Sequence, residues 1–275
     1  MTAGSGVDNL DLIIVAEDAD RPHLSAARRA AELLDLPVEE SATPRERALN
    51  VGPPDFAMAD ATAAALISGA PADGPWDVVC ETDAGGWLVT GASVRSAAHA
   101  TLRLVDSLRW GDELPSPWRR LTQPAFRSLA MEFDDWSGGF ARMADGFDIR
   151  VHAADAARVG MTTLEVNLLA DVEPVQVQER RVYDDMYQWW DIYSAALDMF
   201  VESDLTRGTY HRDMLARNMD KLLETADAAR EWGLTPTFIA FEPRAWPERL
   251  FDHYPQLRGA RVDCSDYSAE AEYAP

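Results

Sequence analysis

Three stretches of this chain carry, towards their ends, side chains suited to a polyhydroxylated ligand. FRSLAMEFDDW (126–136) holds Glu132, Asp134, Asp135 and Trp136, and TTLEVNLLAD (162–171) holds Asn167 and Asp171. TPTFIAFEP (235–243) holds Glu242, with Arg244 just beyond it. Carboxylates and Asn hydrogen-bond hydroxyls, an indole stacks on the apolar face of a sugar ring, and a guanidinium pairs with an acidic or N-acyl group. The competing reading is that acids gather at loop ends in any chain with 47 Asp and Glu against 25 Lys and Arg. Cleaving a glycosidic bond takes two carboxyl groups roughly 5 to 10 Å apart, or one together with a substrate acetamido group. Asp134 and Asp135 are adjacent and point to opposite faces of a strand, so they are not such a pair. Glu132 and Asp134 share a face but sit at different depths. No catalytic acid is assigned.

Other chemistries find less support. The aromatic run Tyr183, Tyr187, Trp189, Trp190 and Tyr193 could offer sugar platforms. Met186, Trp190, Tyr193, Leu197 and Phe200 nevertheless follow helical spacing, which favours packing in a core. The five histidines are scattered, with no pair four residues apart and no HExxH, so no metal is expected. GxGxxG, GxxxxGK[ST] and GxSxG are missing, and no cofactor is expected.

The elements that must position these residues fall into two grammars. The first part opens with the buried-strand run DLIIVAED (11–18), then a helix in which Leu24, Ala27, Ala31 and Leu34 share a face up to Pro37. ALNVG (48–52) reads as a strand and FAMADATAAALIS (56–68) as a small-residue helix. PWDVVCETDAGGWLVTGAS follows as a hairpin turning at Asp83-Ala84-Gly85-Gly86, and Ser93 is placed to cap the helix VRSAAHATLRLVDSLRW. The order is β-α-β-α-β-β-α, a small α+β domain over residues 1–110. Residues 111–125 carry three prolines and no periodicity, as a linker would.

From residue 126 the text alternates strand and helix. Strands are expected at 126–136, 162–171 and 235–243, with helices over 146–161, through VYDDMYQWWDIYSAALDMFVESD, and over 210–234 up to Gly233. Such alternation means right-handed parallel crossovers, with a site at the carboxyl ends of the strands. The expected fold class is therefore α/β, a small α+β domain followed by an incomplete (β/α) TIM-type barrel. A closed barrel takes roughly 250 residues. Residues 126–275 hold three βα units, so the second domain is expected to be truncated.

The hairpin, glycine and helix of GWLVTGASVRSAAHATLRLVDSLRW resemble the small domain that precedes the catalytic barrel in glycoside hydrolase families 20 and 67. FRSLAMEFDDW stands where those families have their first barrel strand, which opens with an aromatic and an Arg, here Phe126 and Arg127. GMTTLEVNLLAD resembles their second strand, and YHRDMLARNMDKLLETADAAREWGLTPTFIAFEP their long helix and third strand. The resemblance covers nearly the whole chain by pattern. It implies a hexosaminidase- or glucuronidase-like protein acting on oligosaccharides, with Arg127 joining the binding residues; a structural ion pair at the barrel base is the other role open to Arg127. Family 20 places a second Arg about eight residues after the first, where this chain has Asp135. Its catalytic Asp-Glu pair lies beyond strand three, so this chain is expected to lack it. The alternatives are a non-catalytic carbohydrate-binding or scaffold module and an unrelated α/β enzyme.

Bulk composition narrows the partners. A formal charge of −22 and a pI near 4.5 repel phosphate backbones and anionic membranes, so neither nucleic acid nor membrane is expected. Two cysteines are too few for a disulfide framework. The opening residues have no basic region and only a short apolar run, so a cytoplasmic protein is expected. An unfinished barrel would also expose a sheet edge, through which the chain could self-associate.

Overall fold

The computed structural model describes residues 10–83, 85–112, 114, 116–124, 128–130, 146–167, 169–170, 176–177, 180–181, 197–204, 206–209, 211–238 and 252–257. The chain divides into two compact units. The first is Met1–Met131 with Arg150–Leu164 and Ala228–Thr235; the second is Glu132–Ile149, Glu165–Asp227 and Pro236–Pro275.

The first unit is built on a six-stranded sheet. Its strands are β1 (Leu12–Ala16), β2 (Val38–Ser41), β3 (Ala48–Val51), β4 (Asp77–Glu81), β5 (Trp87–Gly91) and β6 (Arg119–Thr122), in the spatial order β2-β1-β3-β5-β4-β6. The pairs β1–β2, β1–β3 and β3–β5 are parallel, while β4 runs antiparallel to β5 and to β6. Period-two alternation gives the sheet two apolar faces. Ile13, Val15, Leu49, Val51, Val79 and Val89 pack with α1 (Arg21–Leu34) and α4 (Val94–Trp110). On the other face, Ile14 and Ala16 meet Phe56 of α2 (Pro54–Ala57), and Val78, Cys80 and Leu88 meet α3 (Ala61–Ser68). Full burial of each Val, Leu or Ile contributes about 1.5–3 kcal/mol. The strands read as continuous apolar runs because both faces are covered.

Local chemistry sets the boundaries. The expected helix over 56–68 is two helices, because the Asp60 side chain accepts a hydrogen bond from the Ala63 N–H at 2.9 Å and starts α3 afresh. Ser93 caps α4 as expected, accepting from the Ser96 N–H at 3.2 Å, and Gly111 ends it with φ of 70°. Two strands were not legible. In β2, VEES carries its two acids exposed on a sheet edge. In β6, which falls within the proline-bearing span 111–125, Leu121 lies opposite Val78 while both arginines are exposed. Short edge strands lined with charge carry no apolar periodicity.

Three buried polar arrangements tie this unit together. Asn50 accepts from the Arg45 N–H at 2.7 Å and donates to the carbonyls of Arg45, Ala48 and Trp87 at 3.0, 3.2 and 3.1 Å, holding the β2–β3 loop against the sheet. Arg103 of α4 donates to the buried Asp77 at 2.9 Å. Burial lifts the Asp77 carboxyl above its ordinary range, although Arg103 and His99 pull the other way. Arg158, at the end of α5 (Ile149–Arg158), grips Asp106 of α4.

Candidate functional site

The segments expected as the first three barrel strands are neighbours and run in one direction. Ala130 bridges Thr163 in parallel, and the Thr162 N–H donates to the Leu129 carbonyl at 2.7 Å. The Thr162 hydroxyl reinforces that join, accepting from the Leu129 N–H at 2.7 Å and donating to the Leu129 carbonyl at 2.9 Å. β7 (Thr163–Glu165) pairs in turn with β10 (Thr235–Thr237). The Thr235 N–H bonds the Thr162 carbonyl at 2.9 Å and the Val166 N–H bonds the Thr237 carbonyl at 3.0 Å, advancing together along both strands as parallel pairing requires. β8 (Gln176–Val177) and β9 (Arg180–Arg181) form a separate antiparallel pair between them in sequence.

Helices join these strands as a β/α alternation demands. α5 precedes β7, and α6 (Arg212–Glu231) precedes β10. α6 stops in a left-handed turn at Gly233, φ 71°, with the Leu234 N–H reaching back to the Ala229 carbonyl at 2.9 Å. A Cβ on Gly233 would also stand only 3.2 Å from the Arg95 side chain, so this position favours glycine twice over. Where a long aromatic helix is expected, the described part, 197–204, holds a single 3-10 turn at Leu197–Met199. Phe200 is buried there as anticipated, but Leu197 is 63% exposed. The remainder, with Tyr183, Met186, Tyr187, Trp189, Trp190 and Tyr193, lies outside the described residues.

β7 and the residues following it carry buried polar groups. Within β7, Leu164 points to one face and Thr163 and Glu165 to the other, and Val166 and Asn167 follow in a bend. Glu165 is 3% and Asn167 1% exposed. The hydrogen bond from Val166 to Thr237 sets Glu165 level with Thr237 in the parallel register. A carboxylate and an amide buried side by side are costly to desolvate, and a sheet interior holds such groups only where polar neighbours answer them. Just past the strand ends, Ala170, Met199, Phe200, Met214 and Leu215 form an apolar cluster with Phe238, whose ring meets Phe200 edge-on at 5.5 Å. Asn218 donates to the Met199 carbonyl at 3.0 Å and anchors that turn to α6.

Of the residues singled out for binding, Asn167 is described, two residues beyond the carboxyl end of β7. Arg127, Glu132, Asp134, Asp135, Trp136, Asp171, Glu242 and Arg244 lie outside the described residues. Glu165 is the residue that sequence reasoning missed, because the strand expected over 162–171 ends in the structure at Glu165 itself. Its signal is the polar pair in LEVN, where the acid stands two residues before Asn167.

Burial lowers the pKa of His23, His99 and His152 and pushes the Cys80 thiol up to about 12, so Cys80 is not poised as a nucleophile. Among the described residues no group of three or more His, Cys, Asp or Glu could hold a metal, and no helix is long and apolar enough to cross a membrane.

A sandwiched α/β unit and adjacent parallel strands with intervening helices define the class, an α/β protein with part of a (β/α) barrel. A solved glycoside hydrolase shares the fold. Over 93% of this chain and 28% of the other, the chain superimposes on a GH138 enzyme targeting pectin rhamnogalacturonan II, with a TM-score of 0.51 at 12% identity. BtGH115A, a 4-O-methyl-α-glucuronidase with specificity for decorated arabinogalactans, aligns over 56% of this chain and 24% of its own, with a TM-score of 0.41 at 14% identity. CpGH84D aligns over 82% and 40%, with a TM-score of 0.33 at 12% identity. The chain thus spans between 24% and 40% of the length of these proteins. No family model and no curated protein matches it.

Proposed function

We propose that this chain belongs to a glycoside hydrolase-like protein and contributes the binding of an oligosaccharide at the carboxyl ends of its barrel strands. The observation that carries the reading is the parallel adjacency of Ala130, β7 and β10, with Glu165 buried at the end of β7 and Asn167 buried two residues beyond it. Glu165 and Asn167 do not meet solvent, so they act as positioning residues beneath the site. In this reading Glu132, Asp134, Asp135, Asp171 and Glu242 receive sugar hydroxyls, Trp136 stacks on a ring, and Arg127 and Arg244 answer an acidic or N-acyl substituent. No pair of them is assigned the bond-breaking step, and hydrolysis by this chain is not expected.

The hexosaminidase- or glucuronidase-like patterning of the sequence selects the ligands to try. Isothermal titration with chitooligosaccharides, glucuronic-acid-decorated oligosaccharides and pectin fragments should show binding by at least one class. Aryl N-acetylglucosaminides and aryl glucuronides should remain intact. Absence of binding across all three classes would overturn the sugar reading; turnover that survives purification would overturn the non-catalytic part of it.

A further inference from the structure

A second recess lies in the first unit, apart from the barrel reading and independent of it. A cleft of about 80 Å³ opens between α4 and the edge strand β6, lined by Val79, Arg103, Leu104, Ser107, Trp118 and Arg120. We propose that this cleft binds a carboxylate, held between Arg103 and Arg120 beside the Trp118 indole.

The donors face few protein acceptors. Among the described residues, the hydrogen bonds of Arg103 leave from Nη2, to Asp77 at 2.9 Å and to the Thr122 hydroxyl at 3.4 Å, and Nε and Nη1 make none. Arg120 makes no hydrogen bond or ion pair among the described residues. Asp77 is 2% exposed at its side chain and lies beneath Arg103, where it orients the guanidinium without filling the cleft. In a chain of net charge −22, two arginines and the Ser107 hydroxyl around one recess form a local positive exception. The planar fork of a guanidinium matches the two oxygens of a carboxylate.

The walls are set in advance. The Glu81 N–H donates to the Trp118 carbonyl at 2.8 Å, while the Glu81 carboxylate accepts from the Trp118 N–H at 3.3 Å and the Ser116 hydroxyl at 2.8 Å. The indole therefore stands on a backbone pinned from both sides, and Val79 and Leu104 close the floor at 3% and 5% exposure. An apolar floor beneath charged donors strengthens each polar contact made there. The volume admits a carboxylate and the few atoms that bear it rather than an oligosaccharide.

The test follows the Trp118 indole N–H resonance of the full chain, assigned by its loss in Trp118→Phe. Acetate, glucuronate and glucose are added in turn at constant ionic strength. Acetate and glucuronate should shift the resonance saturably and glucose should not. Arg120→Gln, on an exposed edge-strand residue whose loss leaves no partner unpaired, should weaken binding about tenfold or more, with partial recovery in Arg120→Lys. Equal affinities for acetate and glucuronate would assign recognition to the carboxylate alone; tighter glucuronate binding would assign it to a sugar acid. No saturable shift with either carboxylate, an equal shift with glucose, or unchanged affinity in Arg120→Gln would overturn the proposal.

Discussion

Glu165 ends β7 and Asn167 follows two residues later, both buried, at 3% and 1% exposure. A carboxylate and an amide are among the least favourable side chains to bury, and this short stretch carries both. In the proposed reading they hold the floor under residues that reach the ligand. Glu165→Gln preserves shape and removes the charge. Oligosaccharide affinity should fall severalfold while the thermal midpoint does not drop. Trp136→Ala should cost more, about tenfold or 1.4 kcal/mol, by removing the ring platform. Calorimetric titration of the two variants against the native chain measures both.

Asp106 and Arg158 join α4 to α5 through a two-pronged ion pair, Nε to Oδ2 at 2.6 Å and Nη2 to Oδ1 at 2.7 Å. The guanidinium also lies 5.9 Å from the centre of the exposed Trp110 ring. Asp106 is 8% exposed, whereas the Arg158 side chain keeps 31%, so water screens part of the attraction. Asp106→Asn should lower stability by about 1–2 kcal/mol, read as an earlier urea midpoint at unchanged slope.

Acid should destabilise this protein through its buried histidines. Burial holds the pKa of His23, His99 and His152 below 6.5 in the folded chain, and nearby acids only partly oppose it. Unfolding restores the ordinary value of about 6.5, so below that pH the unfolded chain binds more protons than the folded one. Stability is therefore level above this point and declines as pH falls through the window beneath it. His23 is the cleanest probe, because it is 2% exposed and neither ring nitrogen has a hydrogen-bond partner among the described residues. His23→Leu should match or exceed native stability near neutral pH, since it removes an unanswered polar ring. It should also flatten the decline of the thermal midpoint between neutral pH and pH about 5. An undiminished slope would place the titrating groups elsewhere.

Cys80 should be chemically silent in the folded state. It lies on β4 at 0% exposure, and burial pushes its thiol up to about 12, leaving almost no thiolate near neutral pH. In a Cys264→Ser background, alkylation by iodoacetamide should be slow until urea unfolds the chain and rapid afterwards.

Much of this architecture was legible one segment at a time. The runs at Leu12–Ala16 and Ala48–Val51, the glycine turn before Trp87 and the Ser93 cap each announce their element through local chemistry, since alternation, turn residues and capping side chains act over a few positions. The common direction of the stretches at Ala130, Thr163–Glu165 and Thr235–Thr237 also followed from alternation, because a helix between two strands forces a parallel return. The edge strands Val38–Ser41 and Arg119–Thr122 were settled only by their partners: a charged strand with one pairing edge has no apolar period, and its hydrogen bonds come from residues distant in sequence. The burial of Glu165 and Asn167 was settled the same way. Both are polar, and what places them inside is the pairing of Thr163 with Ala130 and of β7 with β10. The Arg103–Arg120 cleft likewise joins a helix to a strand that sequence alone does not bring together.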